Sequence, residues 1–420
     1  MLTAEENVRL TRVGPGTPMG ELMRRYWHPV AAAGEMQTRW TKRVRILGED
    51  LVLFKDRSGS FGLIGEFCPH RRASLAYGIP VEDGIRCPYH GWKFDGTGRC
   101  LEQPNEPEGS MFRDKVATAG YPLRELGGLL WTYLGPQPAP LIPRLDGFVV
   151  NGAIRTLGQC EIPCNWLQIM ENSIDPLHAE WLHGHFAEFV QEKQGKKFAH
   201  SRPTVKLAFD ETPYGITKRR LLLGQDEDCD DWRIGHPVVF PNILALGNAD
   251  EKWRQFQFQI RVPIDDENTR HYWYNAFVPP PGADVPAHLL GSFDVYDVPF
   301  RDESGEFLLD TIYAQDIMVW CAQGRIADRR LERIGTSDRG ITLYRKMLQR
   351  EVDKVARGED PMFTRRDPAE DAVIELPVER TMNARAAGFE TTLRRHNLRY
   401  SAIAEDLVAL FSAPAAARAG

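Results

Sequence analysis

The chain is poor in every feature that would tie it to a membrane, a nucleic acid or an oxidising compartment. No stretch approaches the about 18 consecutive apolar residues of a membrane span. Basic charge is not in excess: 52 Lys and Arg against 58 Asp and Glu leave a net charge of −6, which gives a phosphate backbone nothing to bind. Cysteine is sparse, seven in 420 residues and odd in number, which argues against a disulfide framework. The opening Met1-Leu2-Thr3-Ala4-Glu5-Glu6 is acidic and lacks the basic start and apolar run of a secretion signal, so a reducing cytoplasm is the expected location. No GxGxxG fingerprint and no plant-type ferredoxin cysteine run occurs, so any flavin or nicotinamide site is expected on a separate protein. There is no internal repeat.

What is present is ordinary globular material, long enough for two domains. Thr3 and Glu6 suggest a capping box, and Thr17-Pro18 a second helix start running toward Pro29. The Gly-rich stretch Gly14 to Gly20 follows no strand and reads as a turn between these helices. Short strands at Val44–Leu47, Leu51–Phe54 and Phe61–Ile64, with turn signals between them, predict a small antiparallel β domain. It ends in a linker-like Gly135-Pro136-Gln137-Pro138-Ala139-Pro140, giving domains 1–150 and 151–420. Beyond it, strands at Ile243–Leu246, Phe256–Val262 and His271–Val278 mix with helical segments near 163–183, 306–334 and 341–356, an α+β pattern. The small residues of the tail from Pro414 are expected to fray.

Two constellations carry chemistry. Cys68-Pro69-His70 and Cys87-Pro88-Tyr89-His90 offer two thiolates and two imidazoles from loops of the β domain. Such a set holds either a tetrahedral zinc or a [2Fe–2S] cluster with the cysteines on one iron and the histidines on the other. Cys100, Cys160, Cys164, Cys229 and Cys321 have no such pairing and read as small buried hydrophobes. The second constellation, Glu171 to His183, concentrates carboxylates and imidazoles, the raw material of a two-His, one-carboxylate iron site. Regular helical geometry would pair His178 with His185, since His183 lies about 140° away around a helix. A widened turn near Pro176 or Gly184 would bring His183 in instead. Asp310, Asp316 and Asp328 are the distant carboxylates available in the predicted helix 306–334.

Cys-x-His followed by Cys-x-x-His-Gly91-Trp92 resembles the Rieske motif, and Asn172-x-x-Asp175-x-x-His178-x4-His183 resembles the iron motif of Rieske non-haem iron oxygenases. Leu10 to Gly20, Arg24-Arg25-Tyr26-Trp27, Trp232 to Pro237 and Ile326 to Arg329 are similar to the phthalate dioxygenase and dehydrodivanillate O-demethylase branch. The resemblance implies a Rieske domain followed by a helix-grip (START-like) catalytic domain, an antiparallel sheet around a long helix. It implies His178, His183 and Asp316 as iron ligands, the last from the family-like Gln315-Asp316 string, with Asn172 beside the site. Asp175 would link His178 to the partner subunit's His90 in a homotrimer or dimer of trimers. It also implies Fe(II), O₂ as co-substrate and electrons from a separate NAD(P)H-dependent reductase or ferredoxin. The substrate class implied is aromatic, carboxylated and methoxylated, with O-demethylation or ring cis-dihydroxylation as the reaction. Arg219, Arg220 and Arg233 are candidates for an arginine fork on a substrate carboxylate. The rival readings are a Rieske electron-transfer protein and a zinc-stabilised binding module.

Overall fold

A computed structural model describes residues 2–196, 202–249, 254–377 and 397–412; the tail from Pro414 lies outside them. Helix α1 (Ala4–Thr11) opens on the expected box: the Glu6 N–H donates to Thr3 Oγ1, and Thr3 N–H donates to the Glu6 carboxylate at 2.7 Å. Helix α2 (Pro18–Met23) starts as expected but does not run to Pro29. Trp27–Ala32 is instead a buried strand, β1, and its register slips between Pro29 and Ala31, where proline's missing N–H is tolerated.

The following strands form three small sheets. Strand β1 pairs with β11 (Leu129–Tyr133), which also takes β10 (Leu123–Leu126). A second sheet runs β2 (Thr41–Ile46), β3 (Glu49–Lys55), β4 (Phe61–Gly65) and β9 (Gly120–Tyr121). The third is β5 (Ile79–Val81), β6 (Gly84–Arg86), β7 (Lys93–Phe94) and β8 (Cys100–Glu102). All pairs are antiparallel, so the hairpin turns read from the sequence do set this part.

The C-terminal part is built on one eight-stranded sheet. Its strands are β12 (Ile154–Ile162), β13 (Thr204–Thr212), β14 (Gly215–Leu222), β15 (His236–Val239), β16 (Ile243–Ala249), β17 (Arg254–Pro263), β18 (Thr269–Val278) and β19 (Phe293–Asp297), in the order 13-14-15-16-17-18-12-19. The sheet is mixed rather than purely antiparallel, because β19 runs parallel to β12. Helix α3 (Trp166–Ile174), α5 (Ile312–Ala322) and the 18-residue α6 (Arg339–Ala356) accompany it. The expected long helix over 306–334 is only α5, eleven residues that end where Gly324 takes a positive φ. Among the described residues no helix is long and apolar enough to cross a membrane.

One buried ion network anchors α3. Glu171 receives Arg329 at 2.7 Å and Arg345 of α6 at 2.6 Å, and Arg329 also donates to Asn7 of α1. Burial pushes the Glu171 carboxyl up, but the two guanidinium groups outweigh it and hold it below the usual range. This carboxylate therefore stabilises the fold above about pH 4.3, and the contribution is lost as pH falls through its depressed pKa. Glu171→Gln leaves two buried cations short of charge, and a loss of about 3–5 kcal/mol in urea unfolding is expected. An unchanged urea midpoint would show the network to be incidental.

Candidate active site

The two cysteine loops have one geometry, repeated. Cys68 N–H donates to the Ala73 carbonyl and Cys87 N–H to the Trp92 carbonyl, while Arg72 and Gly91 donate back to the respective cysteine carbonyls. The returning residue has φ near +62° in Arg72 and +73° in Gly91, a left-handed turn that folds each loop over its cysteine. Both thiols are buried and the loops face each other, with His70 and His90 ring centroids 4.6 Å apart. His70 is fixed from behind by stacking on Trp92 at 4.4 Å. The group that would fit is visible in what is left over. His90 Nδ1 is buried without a hydrogen-bond partner, and burial, helped by Cys87, pushes the Cys68 thiol up to about 11. A metal that takes the thiolates and the imidazole nitrogen relieves both.

The second site lies where α3 breaks. Asp175-Pro176-Leu177 interrupts the helix, a single turn follows at His178–Glu180, and Trp181–Phe186 is a π-helix before α4 (Ala187–Lys193). In a π turn the bond runs from i to i+5, so widened turns carry His183 round toward His178. His185 is thrown outward, exposed and packed on Trp181 at 4.5 Å. Asp316 of α5 meets the pair: its Oδ1 is 3.1 Å from His183 Nε2 and 3.7 Å from His178 Nε2. One ligand atom from each of the three lies within 4.8 Å of the others.

The outer faces of the rings are engaged. His178 Nδ1 is 2.6 Å from the Asp175 carbonyl oxygen, and His183 Nδ1 is 3.0 Å from Gln315 Oε1. With the protons on Nδ1, both Nε2 lone pairs face Asp316, whose buried Oδ1 has no hydrogen-bond partner. Burial pushes His178 down to about 4 against the pull of Asp316, so its ring is neutral at pH 7. For Asp316 burial pushes the other way, but His183 and His178 beside it keep the carboxyl below its usual range. At His183 burial pushes down, but Asp316 beside it outweighs this and holds the imidazole above its usual range. A divalent iron would displace that proton, and two imidazoles and one carboxylate suit such an ion with open positions.

Residues 26–122 match the family of Rieske [2Fe-2S] domains, and 301–376 match the family described as LigXa C-terminal domain like. Over 382 residues, 90% of this chain and 87% of the relative, the sequence is 43% identical to the 5,5'-dehydrodivanillate O-demethylase oxygenase subunit of Sphingobium sp.. The chain belongs to the Rieske oxygenases. It is similar at 46% identity, over 82% of this chain and 76% of the relative, to the tert-butanol monooxygenase / tert-amyl alcohol desaturase oxygenase subunit of Aquincola tertiaricarbonis. Among solved structures the fold is shared with Pseudomonas putida CBB5 NdmA, at TM-score 0.59 and 20% identity over 82% of this chain and 94% of that one. The protein is thus the terminal oxygenase component of its system, an oxidoreductase with a Rieske [2Fe–2S] domain.

Other expected residues of this Rieske oxygenase fall elsewhere. Asp310 and Asp328 are not in a helix with Asp316: Asp310 pairs with Arg399 at 2.9 Å and Asp328 with Arg330 at 2.7 Å. Asn172 is half-buried in the last turn of α3, where its carbonyl accepts from Asp175 N–H; among the described residues its side chain makes no hydrogen bond. Asp175 holds His178 through its carbonyl rather than its carboxylate, which accepts the Leu177 N–H at 2.7 Å and stands 3.9 Å from the ring. Arg219 serves Asp210 and the Trp232 carbonyl, Arg233 is exposed, and Arg220 Nε, buried without a hydrogen bond, stands 3.8 Å from the Asp231 carboxylate. Cys100, Cys160 and Cys164 are buried as expected, but Cys229 and Cys321 are half-buried, each at the end of a helix that reaches the surface. Gln315 was missed as a partner for His183, although it adjoins Asp316 in sequence. Lys218 and Arg261, both buried, were not singled out from the sequence.

Proposed function

We propose that this oxygenase removes the methyl group from a methoxylated aromatic compound. His178, His183 and Asp316 would hold Fe(II), and Cys68, Cys87, His70 and His90 the cluster. When bound, the iron supplies O₂ activation and the cluster supplies electrons delivered by a separate NAD(P)H-dependent reductase, directly or through a ferredoxin. The residues orient: Asp175 and Gln315 fix the two imidazoles, and Trp92 fixes His70. The carrying observation is the 43% identity to an O-demethylase oxygenase subunit over nine-tenths of the chain. In the net reaction one oxygen atom enters the methyl C–H bond and the other leaves as water, taking the delivered electrons with protons. The hemiacetal then collapses to a phenol and formaldehyde.

The two-part division at residues 150 and 151, and a homotrimer or dimer of trimers, belong to the same reading. Metal centres on different parts of a chain can meet across a heterologous interface in a closed ring. About three iron atoms and two acid-labile sulfides per chain are expected after anaerobic purification. Reduced protein with a generic reductase and a panel of methoxylated aromatic acids should release formaldehyde. A cis-diol instead would establish ring dihydroxylation, and zinc without sulfide would overturn both.

A further inference from the structure

Of the six buried Lys and Arg side chains among the described residues, four are matched by a carboxylate. Arg329 and Arg345 sit on Glu171, Arg24 on Glu49 at 2.6 Å, and Lys93 on Glu102 at 2.9 Å. Lys218 and Arg261 are the exceptions. Lys218 is 7% exposed and Arg261 1%, yet neither has a carboxylate within salt-bridge distance among the described residues. The Lys218 ammonium makes no hydrogen bond there. Arg261 spends its two terminal nitrogens on the carbonyl and side chain of Gln259, while its Nε is buried and unpartnered. A buried ion left this way costs several kcal/mol.

Their position explains what the fold gains. Lys218 on β14 is opposite His236 on β15. From there the pairing runs Val238 to Leu244 and Leu244 to Gln259, so Lys218, Gln259 and Arg261 share one face of the sheet. That face looks at the helix of the iron triad: Tyr313 Oη of α5, one turn before Asp316, donates to Gln257 on the Gln259 and Arg261 side of β17 at 3.2 Å, and Lys218 and Arg261 both feel the charge of Asp316. Burial foremost, then Arg220, pushes Lys218 down to about 8, as a crowded positive site requires. Among the described residues Asp316 is the one carboxylate facing both, and a divalent ion would claim it and add positive charge of its own. Among the described residues nothing else supplies the missing negative charge, which leaves room for a bound anion.

We infer that Lys218 and Arg261 seat a carboxylate of the aromatic substrate, placing the opposite end of the ring at His178, His183 and Asp316. This rests on the function proposed above, and it separates the protein from its relative named for tert-butanol, which is a neutral alcohol. The ammonium's open donors and the Nε of Arg261 supply charge-assisted hydrogen bonds that a neutral group of the same shape would not receive.

The test is equilibrium dialysis of iron-loaded, reduced holoenzyme under argon with 3-methoxybenzoate, its methyl ester and tert-butanol, followed by formaldehyde analysis on admitting O₂. The acid should bind at least about tenfold more tightly than the ester. Lys218→Met should remove that preference and Lys218→Arg should keep most of it. The wild-type comparison needs no substitution, so the test stands even if a variant fails to fold. Equal affinity for acid and ester, or tert-butanol bound as tightly as the acid, overturns the carboxylate seat. The two proposals fail separately. Formaldehyde from acid and ester alike removes the seat and keeps the demethylation. Tight acid binding with a hydroxylated but still methoxylated product keeps the seat and removes the demethylation.

Discussion

Asp316→Ala is expected to abolish turnover while the brown colour of the cluster persists. Asp316 is the only carboxylate whose oxygen reaches both His178 and His183 among the described residues. It is carried by α5, and Gln315 on the same helix holds His183 from behind. Removing it takes away the charge that a divalent ion needs and leaves two neutral imidazoles, a weak pair on their own. Partners outside the ligand shell cost about 10–100-fold when lost, so a ligand should cost at least about a thousandfold. Iron should fall from about three to about two atoms per chain, with sulfide and the visible spectrum unchanged. Asp328→Ala is the control, since that residue pairs only with exposed Arg330. Full iron and normal turnover in Asp316→Ala would move the third ligand elsewhere.

Much of the site could be read from the sequence because metal ligands come at fixed short spacings. Cys68, His70, Cys87 and His90 are visible for that reason, and the loops that carry them do adopt matching turns. The pair His178 and His183 was less legible. A regular helix puts His185 above His178, and only the break at Pro176 with the π turn after it reverses that choice. Proline marks a break in sequence, but nothing in the residues fixes how many widened turns follow. The long helix expected over 306–334 failed on the same kind of ground: Gly324 ends α5, and the polar stretch after it makes local ion pairs in a loop.

The substrate side was hidden for a different reason. Strand β17 alternates Gln255, Gln257, Gln259 and Arg261 with Phe256, Phe258, Ile260 and Val262. That period of two is the mark of a strand with one wet face and one dry one. Both faces are buried, however, and Tyr313 of α5 reaches Gln257 on the polar side. Sequence alternation reports polarity and not exposure, so a polar cavity inside a sheet and a solvent face look the same. What distinguishes Lys218 and Arg261 is the lack of a counter-charge among the described residues in three dimensions, which no local pattern records. Of the arginines suggested by the sequence, Arg219 is occupied, Arg233 is outside and Arg220 stands beside Asp231.

Asp175→Asn is the substitution in which structure and turnover should part company. The resemblance gives Asp175 a double task, orienting His178 and reaching the partner subunit's His90. The structure gives the first task to the backbone carbonyl and leaves the carboxylate out of it. The carbonyl oxygen takes the His178 Nδ1–H at 2.6 Å, and a side-chain change leaves it in place. Oδ1 accepts the Leu177 N–H at 2.7 Å, which an asparagine oxygen can also do. Iron should therefore stay. What the substitution removes is the charge and the acceptor at Oδ2, which stands 3.9 Å from His178 Nδ1 on a side chain still 27% exposed. An exposed carboxylate edge beside a ligand imidazole is free to accept a hydrogen bond from another subunit. If it does, Asp175→Asn should slow reoxidation of the reduced cluster in the presence of substrate and O₂ by about 100-fold, the upper end for outer ligand partners. Rapid-mixing absorbance on protein of verified iron content reads that rate. A normal rate with full iron would confine Asp175 to capping the turn before Pro176, and loss of iron would mean that its carboxylate, not its carbonyl, holds His178.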